Sequence, residues 1–177
     1  MKTNTQLTHS NHKKTPGKFP LGVIANDLNS PLNIGSLFRL CDALAVEKLY
    51  LCGDTPRPPN SKINKTSRST EKFVAYEYHE NAEQLIDSLK QNGTLIVSLE
   101  ITSSSIALNS KSLADGINRK GAVCLIIGAE KSGISEALLS LSDFTVHIPM
   151  LGFNSSMNVV SAASIACYEI ISMIQAR

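Results

Sequence analysis

Leu125-Ile126-Ile127-Gly128-Ala129-Glu130-Lys131-Ser132-Gly133-Ile134 is the stretch whose reading decides the fold. An apolar run from residue 122 to 127 stops at a glycine and gives way to polar residues. Apolar runs without alternation mark strands buried on both faces, as in parallel sheets covered by helices. Ligands of such sheets bind beyond the carboxyl ends of the strands, where Gly128, Glu130 and Gly133 fall. Gly128 permits close backbone approach of a ligand, and Gly133 a tight turn into the next helix. The segment superficially looks like a phosphate loop, but Ile134 stands where a lysine should follow the second glycine. No GxGxxG occurs elsewhere, so nucleoside triphosphate and dinucleotide readings lose.

Outward from this strand, residues 94–99 form a second continuous apolar run, and 21–25, 48–51, 74–77 and 145–148 read as shorter strands. A helix starts near Pro31, with Ser30 as cap and Ile34, Leu37, Phe38, Cys41 and Leu44 on one face. Residues 81–91 form a helix stopped by Gly93, and 135–140 a short one with Glu136 near its positive end. Three prolines make residues 53–60 a loop. The alternation predicts an α/β fold with a mostly parallel sheet flanked by helices. With 177 residues and no internal repeat, the chain divides into a basic tail, 1–18, and one domain, 19–177.

The last helix, 158–175, is apolar over most of its circumference, from Met157 through Val160, Ala163, Ile165 and Cys167 to Ile170 and Ile174. Such a helix must be buried nearly all round. Covering one side with the sheet and the other with a second copy predicts a homodimer; burial within the monomer is the alternative.

Composition narrows the class. Hydrophobic residues make up 42% of the chain, and no run approaches the roughly 18 apolar residues of a membrane span. Residues 1–18 lack the apolar core of a secretory signal and contain no arginine, which argues against a transit peptide. The four cysteines show neither CxxC pairing nor metal-ligand spacing, so no metal is expected and a reducing compartment, the cytoplasm, is. The net charge of +2 is unevenly spread. Residues 1–18 carry four lysines and no acid, while Arg57, Lys62, Lys65, Arg68 and Lys72 face only Glu71 between 57 and 72. Two basic patches on an otherwise acidic body suggest a polyanionic partner such as RNA.

Two further segments place polar residues beyond a strand. Asn26-Asp27-Leu28-Asn29-Ser30 leads into Asn33, Gly35 and Arg39; Ile148-Pro149-Met150 leads through Gly152 to Ser155, Ser156, Met157 and Asn158. Alone, Ser156 and Asn158 read as helix caps and Arg39 as a surface arginine.

In this order the three segments resemble the motifs of the SpoU–TrmH branch of the SPOUT RNA methyltransferases. That pattern reads N-x-G-x-x-x-R, then apolar-G-x-E-x-x-G, then I-P-M-x-G followed by S-[LM]-N. Here they are Asn33, Gly35 and Arg39; Gly128, Glu130 and Gly133; and Ile148, Pro149 and Met150 with Ser156, Met157 and Asn158. The resemblance runs from about Leu21 to Arg177.

It implies an α/β fold with a C-terminal trefoil knot and an S-adenosylmethionine-dependent RNA methyltransferase acting on a ribose 2′-hydroxyl. It assigns cofactor binding to the positions of Leu99, Gly128, Ile148, Met150 and Met157. Catalysis falls to Arg39, with Asn33, Glu130, Ser156 and Asn158 in support. Arginine, with a pKa above about 12, is an awkward base, so a clamp on the neighbouring phosphate is the preferred role for Arg39. Glu130 is expected to cap loop amides rather than take a proton.

The basic loop 57–72 is expected to contact RNA phosphates through Arg57, Lys62, Lys65 and Arg68. At 5% aromatic content, recognition is expected to rest on shape more than on base stacking. Transfer RNA is favoured over ribosomal RNA as the substrate. The rival readings are an RNA-binding knot protein without catalysis, and a methyltransferase acting on a base or a small molecule.

Overall fold

The computed structural model describes residues 4–6, 11 and 17–176. Of the tail lysines, Lys2, Lys13 and Lys14 lie outside the described residues, and Lys18 directly precedes the first strand. The chain runs β1 (Phe19–Asn26), α1 (Pro31–Ala43), β2 (Val46–Cys52), α2 (Ser61–Ser67), a single 3-10 turn (Thr70–Lys72) and β3 (Tyr76–His79). It continues through α3 (Ala82–Gln91), β4 (Leu95–Leu99), β5 (Ile106–Ala107), α4 (Lys111–Lys120) and β6 (Val123–Ile127). Then come α5 (Glu136–Leu141), β7 (Phe144–His147) and α6 (Val159–Gln175).

The seven strands form one sheet in the order β3-β2-β1-β6-β4-β7-β5, and every pairing is parallel. All strand carboxyl ends therefore share one edge. Alternate strand residues feed two cores. Val23, Leu49, Val97 and Leu125 pack against α1, α4 and α6, while Ile24, Ile96, Cys124 and Ile126 pack against α3 and α5. β6 is buried at every position, as its unbroken apolar run requires.

The sequence reading missed two helices. The basic loop 57–72 holds α2, capped by Asn60, whose side chain accepts from the amides of Lys62 and Ile63. Seven residues with only Ile63 and Ser67 buried are too few to show a helical period. Helix α4 is capped by Ser110 and buries Leu113, Gly116 and Ile117. Its mid-helix glycine reads as a breaker in sequence. In space it makes room for Phe144, whose Cε2 would lie 2.7 Å from a β-carbon there.

Helix α6 buries Ala163, Ala166, Cys167, Ile170 and Ile171 on the sheet side. Its other side leaves Ile165 and Tyr168 exposed, at 45% and 65%, and Leu151 and Phe153 in the preceding loop are fully exposed. Burial within the monomer thus covers only part of the helix. Among the described residues, no helix is long and apolar enough to cross a membrane.

Candidate active site

A cleft of about 510 Å³ opens beyond the carboxyl ends of β4, β6 and β7. Leu99, Gly128, Ile148, Met150 and Met157, the five expected cofactor residues, all line it. So do Glu130, Ser156 and Asn158 from the expected catalytic set. The lining mixes apolar side chains and strand-end backbone with polar and charged groups, among them Glu100, Glu130, Lys131 and His147.

One wall is the loop between β6 and α5, folded back on itself. The Gly133 amide donates to the Ala129 carbonyl at 2.9 Å, and Gly133 has a φ of +67°. A β-carbon on Gly128 would lie 2.3 Å from the Gly133 carbonyl oxygen and 2.6 Å from the Ile134 nitrogen. Both obstacles are backbone, so only glycine permits this closure. Glu100 pins the loop to the end of β4: its Oε2 accepts from the Ile134 amide at 3.1 Å and its Oε1 from the Ile101 amide at 3.0 Å. Sequence reasoning missed Glu100, although it directly follows the apolar run 94–99. It also missed His147, a lining residue whose Nδ1 lies 3.0 Å from the Ser105 hydroxyl.

At the rim, the three motif segments meet on a single side chain. Asn33 Nδ2 donates to Glu130 Oε1 at 2.8 Å, and its Oδ1 accepts from Asn158 Nδ2 at 3.4 Å. Glu130 Oε2 accepts from the Asn29 amide at 3.3 Å. Asn158 caps α6 as well, accepting from the amides of Val160 and Ser161. Partial burial pushes the Glu130 carboxyl up. The donors around it, its own amide, the Asn33 side chain and the Asn29 and Ser30 amides, outweigh that and hold it below the usual carboxylate range. A carboxylate so held, at the start of α1, ties a loop to a helix terminus and makes a poor base.

Arg39 does not join this cluster. It is exposed, and no ion pair engages it among the described residues. It sits six residues beyond Asn33 on α1, roughly 9 Å along the axis. It does share a face with Gly35, four residues before it. Helix α2 docks on that face: a β-carbon on Gly35 would lie 2.1 Å from Thr66 Oγ1 and 2.3 Å from the Ile63 carbonyl oxygen. Thr66 Oγ1 also donates to the Leu32 carbonyl at 2.9 Å. The motif glycine thus seats the helix that bears Lys62 and Lys65 and is capped by Arg68, all three exposed, against the helix that bears Arg39. Arg57, in the loop before α2, lies over the Tyr78 ring, its guanidinium carbon 3.9 Å from the centroid.

Known proteins with this pattern are numerous. A tRNA (guanosine(18)-2′-O)-methyltransferase from Thermus thermophilus is 28% identical over 149 residues, covering 84% of this chain and 73% of that enzyme. The crystal structure of AviRb, a SpoU methyltransferase from Streptomyces viridochromogenes, superposes with a TM-score of 0.77 at 27% identity. It covers 92% of this chain, which spans 63% of AviRb's length. AviRb in complex with the cofactor AdoMet gives 0.78 at 25% identity. The TrmH/SpoU tRNA modifying enzyme of A. aeolicus superposes with a TM-score of 0.75 at 25% identity, over 90% of this chain and 80% of that one. The model of the SpoU rRNA Methylase family matches residues 20–168, and the chain belongs to that family.

Proposed function

We propose that this chain is an S-adenosylmethionine-dependent RNA methyltransferase that modifies a ribose 2′-hydroxyl, in transfer RNA before ribosomal RNA. The observation that carries the reading is the meeting of all three motif segments on Asn33 at the rim of the cleft. The names of the Thermus and A. aeolicus relatives support transfer RNA. Exposed Ile165, Tyr168, Leu151 and Phe153 support a homodimer. Four free, buried cysteines support a cytoplasmic setting.

The cleft fits the cofactor. Its volume of about 510 Å³ lies within the range of small-ligand sites. Leu99, Ile148, Met150 and Met157 offer apolar walls to an adenosine, and the strand-end backbone offers donors and acceptors. The loops 128–133 and 148–158 that frame it are, in this reading, the threaded loops of the trefoil knot. When bound, S-adenosylmethionine supplies an electrophilic methyl group on a positively charged sulfur.

The protein's part is positioning. Arg39, exposed on the helix against which the basic helix α2 packs, grips the phosphate next to the target ribose and aims the 2′-oxygen at the cleft. Phosphate oxygen or water takes the hydroxyl proton, since Glu130 is committed to the Asn29 and Asn33 donors. Ser156 and Asn158 line the cleft where the ribose enters.

The test is transfer of labelled methyl from S-adenosylmethionine to separated transfer and ribosomal RNA from undermodified cells, with nucleoside analysis. A labelled 2′-O-methyl nucleoside that disappears with Arg39→Ala is the expected result. Arg39→Lys keeps the charge but loses the bidentate fork, and turnover should fall roughly tenfold or more. Near-normal turnover in that variant refutes the clamp. Label on a base overturns the acceptor, and RNA binding without cofactor binding favours an inactive RNA-binding protein.

A further inference from the structure

We infer that Arg57 and Tyr78 form a stacking platform for an RNA base lying outside the catalytic cleft. The inference rests on the RNA reading above and extends it from phosphate contacts to base contacts.

The chain has nine Phe and Tyr residues, and three of them, Phe73, Tyr76 and Tyr78, come within six positions at and before β3. β3 is an edge strand, and its residues Tyr76, Glu77 and Tyr78 are exposed. Tyr76 turns inward enough to meet Phe38 edge-on, with centroids 5.2 Å apart. Tyr78, two residues on and on the same face, is 39% exposed and takes Arg57 on its ring. The Tyr78 hydroxyl donates to the Gly53 carbonyl at 3.1 Å, which fixes the ring to the loop that supplies Arg57. Pro56 and Pro58 flank Arg57 and restrict the backbone on both sides of it.

Arg57 thus has a ring beneath it and no ion pair among the described residues. A guanidinium whose carbon lies 3.9 Å over an aromatic ring, on an exposed residue, has its other side open to a further planar group. Nucleobases stack on such faces in single-stranded RNA recognition. The charge around it selects the partner: Lys62 and Lys65 follow on α2 and Arg68 at its end, so a polyanion is drawn to this side of the molecule.

The position suits a nucleotide near the target. Because every strand is parallel, the carboxyl end of β3 lies on the same edge as the cleft. Three strand spacings separate β3 from β6, roughly 14 Å, a distance that a short stretch of single-stranded RNA spans. The intervening edge is braced: the Asp54 amide donates to Asp27 Oδ1 at 3.0 Å, two residues before Asn29 binds Glu130. Loop 53–57 is thereby tied to the rim of the cleft.

The experiment measures binding of a labelled oligoadenylate and of an abasic oligomer with the same number of phosphates. It uses the full chain as wild type, Arg57→Lys, Tyr78→Phe and Tyr78→Ala. Wild type should prefer the oligoadenylate by roughly tenfold, the scale of one stacked base. Arg57→Lys and Tyr78→Ala should erase that preference, while Tyr78→Phe, which keeps the ring, should retain most of it. If Arg57→Lys discriminates like wild type, Arg57 acts as a charge alone and the platform is refuted, while methyl transfer to RNA by the wild-type protein tests the RNA reading separately. If wild type binds neither oligomer and methylates no RNA, the platform and the RNA reading fall together.

Discussion

Replacing Gly35 by alanine separates the two jobs assigned to helix α1. The new β-carbon would lie 2.3 Å from the Ile63 carbonyl oxygen and 3.0 Å from the Ser67 nitrogen, where ordinary contact begins at 3.4 Å. Both atoms are backbone of α2, so rotation of a side chain cannot relieve the clash and α2 must retreat by roughly 1 Å. That retreat stretches the 2.9 Å bond from Thr66 to the Leu32 carbonyl beyond useful range. Overpacking of this kind costs about 1–3 kcal/mol, offset by about 0.5–1 kcal/mol from removing a mid-helix glycine. Because the obstacles are backbone, the upper part of that range applies, and the net loss of about 1–2.5 kcal/mol lowers the melting temperature by about 2–10 °C in a domain of this size. Thermal unfolding, cofactor titration and RNA binding on the same preparation give the readout. RNA binding should weaken with the displacement of Lys62, Lys65 and Arg68, while cofactor affinity stays within a factor of two or so of wild type. An unchanged or raised melting temperature with undiminished RNA binding would refute the argument that Gly35 seats the basic helix.

Three further outcomes are expected. Gly128→Ala should lower cofactor affinity by at least about tenfold, measured by calorimetric titration, because its β-carbon strikes the Gly133 and Ile134 backbone that walls the cleft. Glu130 titrates below the usual carboxylate range when folded, so its stabilisation is complete above about pH 4.3 and is lost as pH falls through the folded value. The melting-temperature gap between wild type and Glu130→Gln should therefore be constant near neutrality and close on acidification; a gap that widens in acid would contradict the assignment. Burial pushes the Cys52 and Cys167 thiols up to about 12 and raises Cys41 and Cys124 as well. Native protein should consequently react with a thiol reagent only at the rate of unfolding, and fast labelling of any one of the four would show a site more open than the structure has it.

The parallel sheet was legible because β6 is an unbroken apolar run and β4 is interrupted only by Ser98, a pattern that two-sided burial explains. The cleft was legible because glycine and polar residues follow those runs at the one edge where loops converge. Neither α2 nor α4 was legible: one is too short to show a period, and the other interrupts its apolar face with Gly116. The pairing of Asn33 with Glu130 and Asn158 spans 97 and 125 residues, and no local pattern encodes it. Glu100 went unseen because a lone carboxylate after a strand looks like any solvated end until Ile134 and Ile101 are placed around it. The low aromatic content points to shape more than base stacking, yet three of the nine rings gather at one sheet edge.

The bonds on Asn33 also set an order of events. Its partners come from the loop after β6 and from the cap of α6, the last helix of the sheet domain. While the chain emerges from the ribosome, β1, α1 and β2 can pair locally, but the Asn33 amide lacks Glu130 until the loop after β6 is made and Asn158 until α6 has docked. Closing such long loops is entropically costly, so the junction is among the late contacts of folding. The rim of the cleft is therefore finished only when the final helix has docked, and a half-made chain carries the basic helix without the pocket it serves.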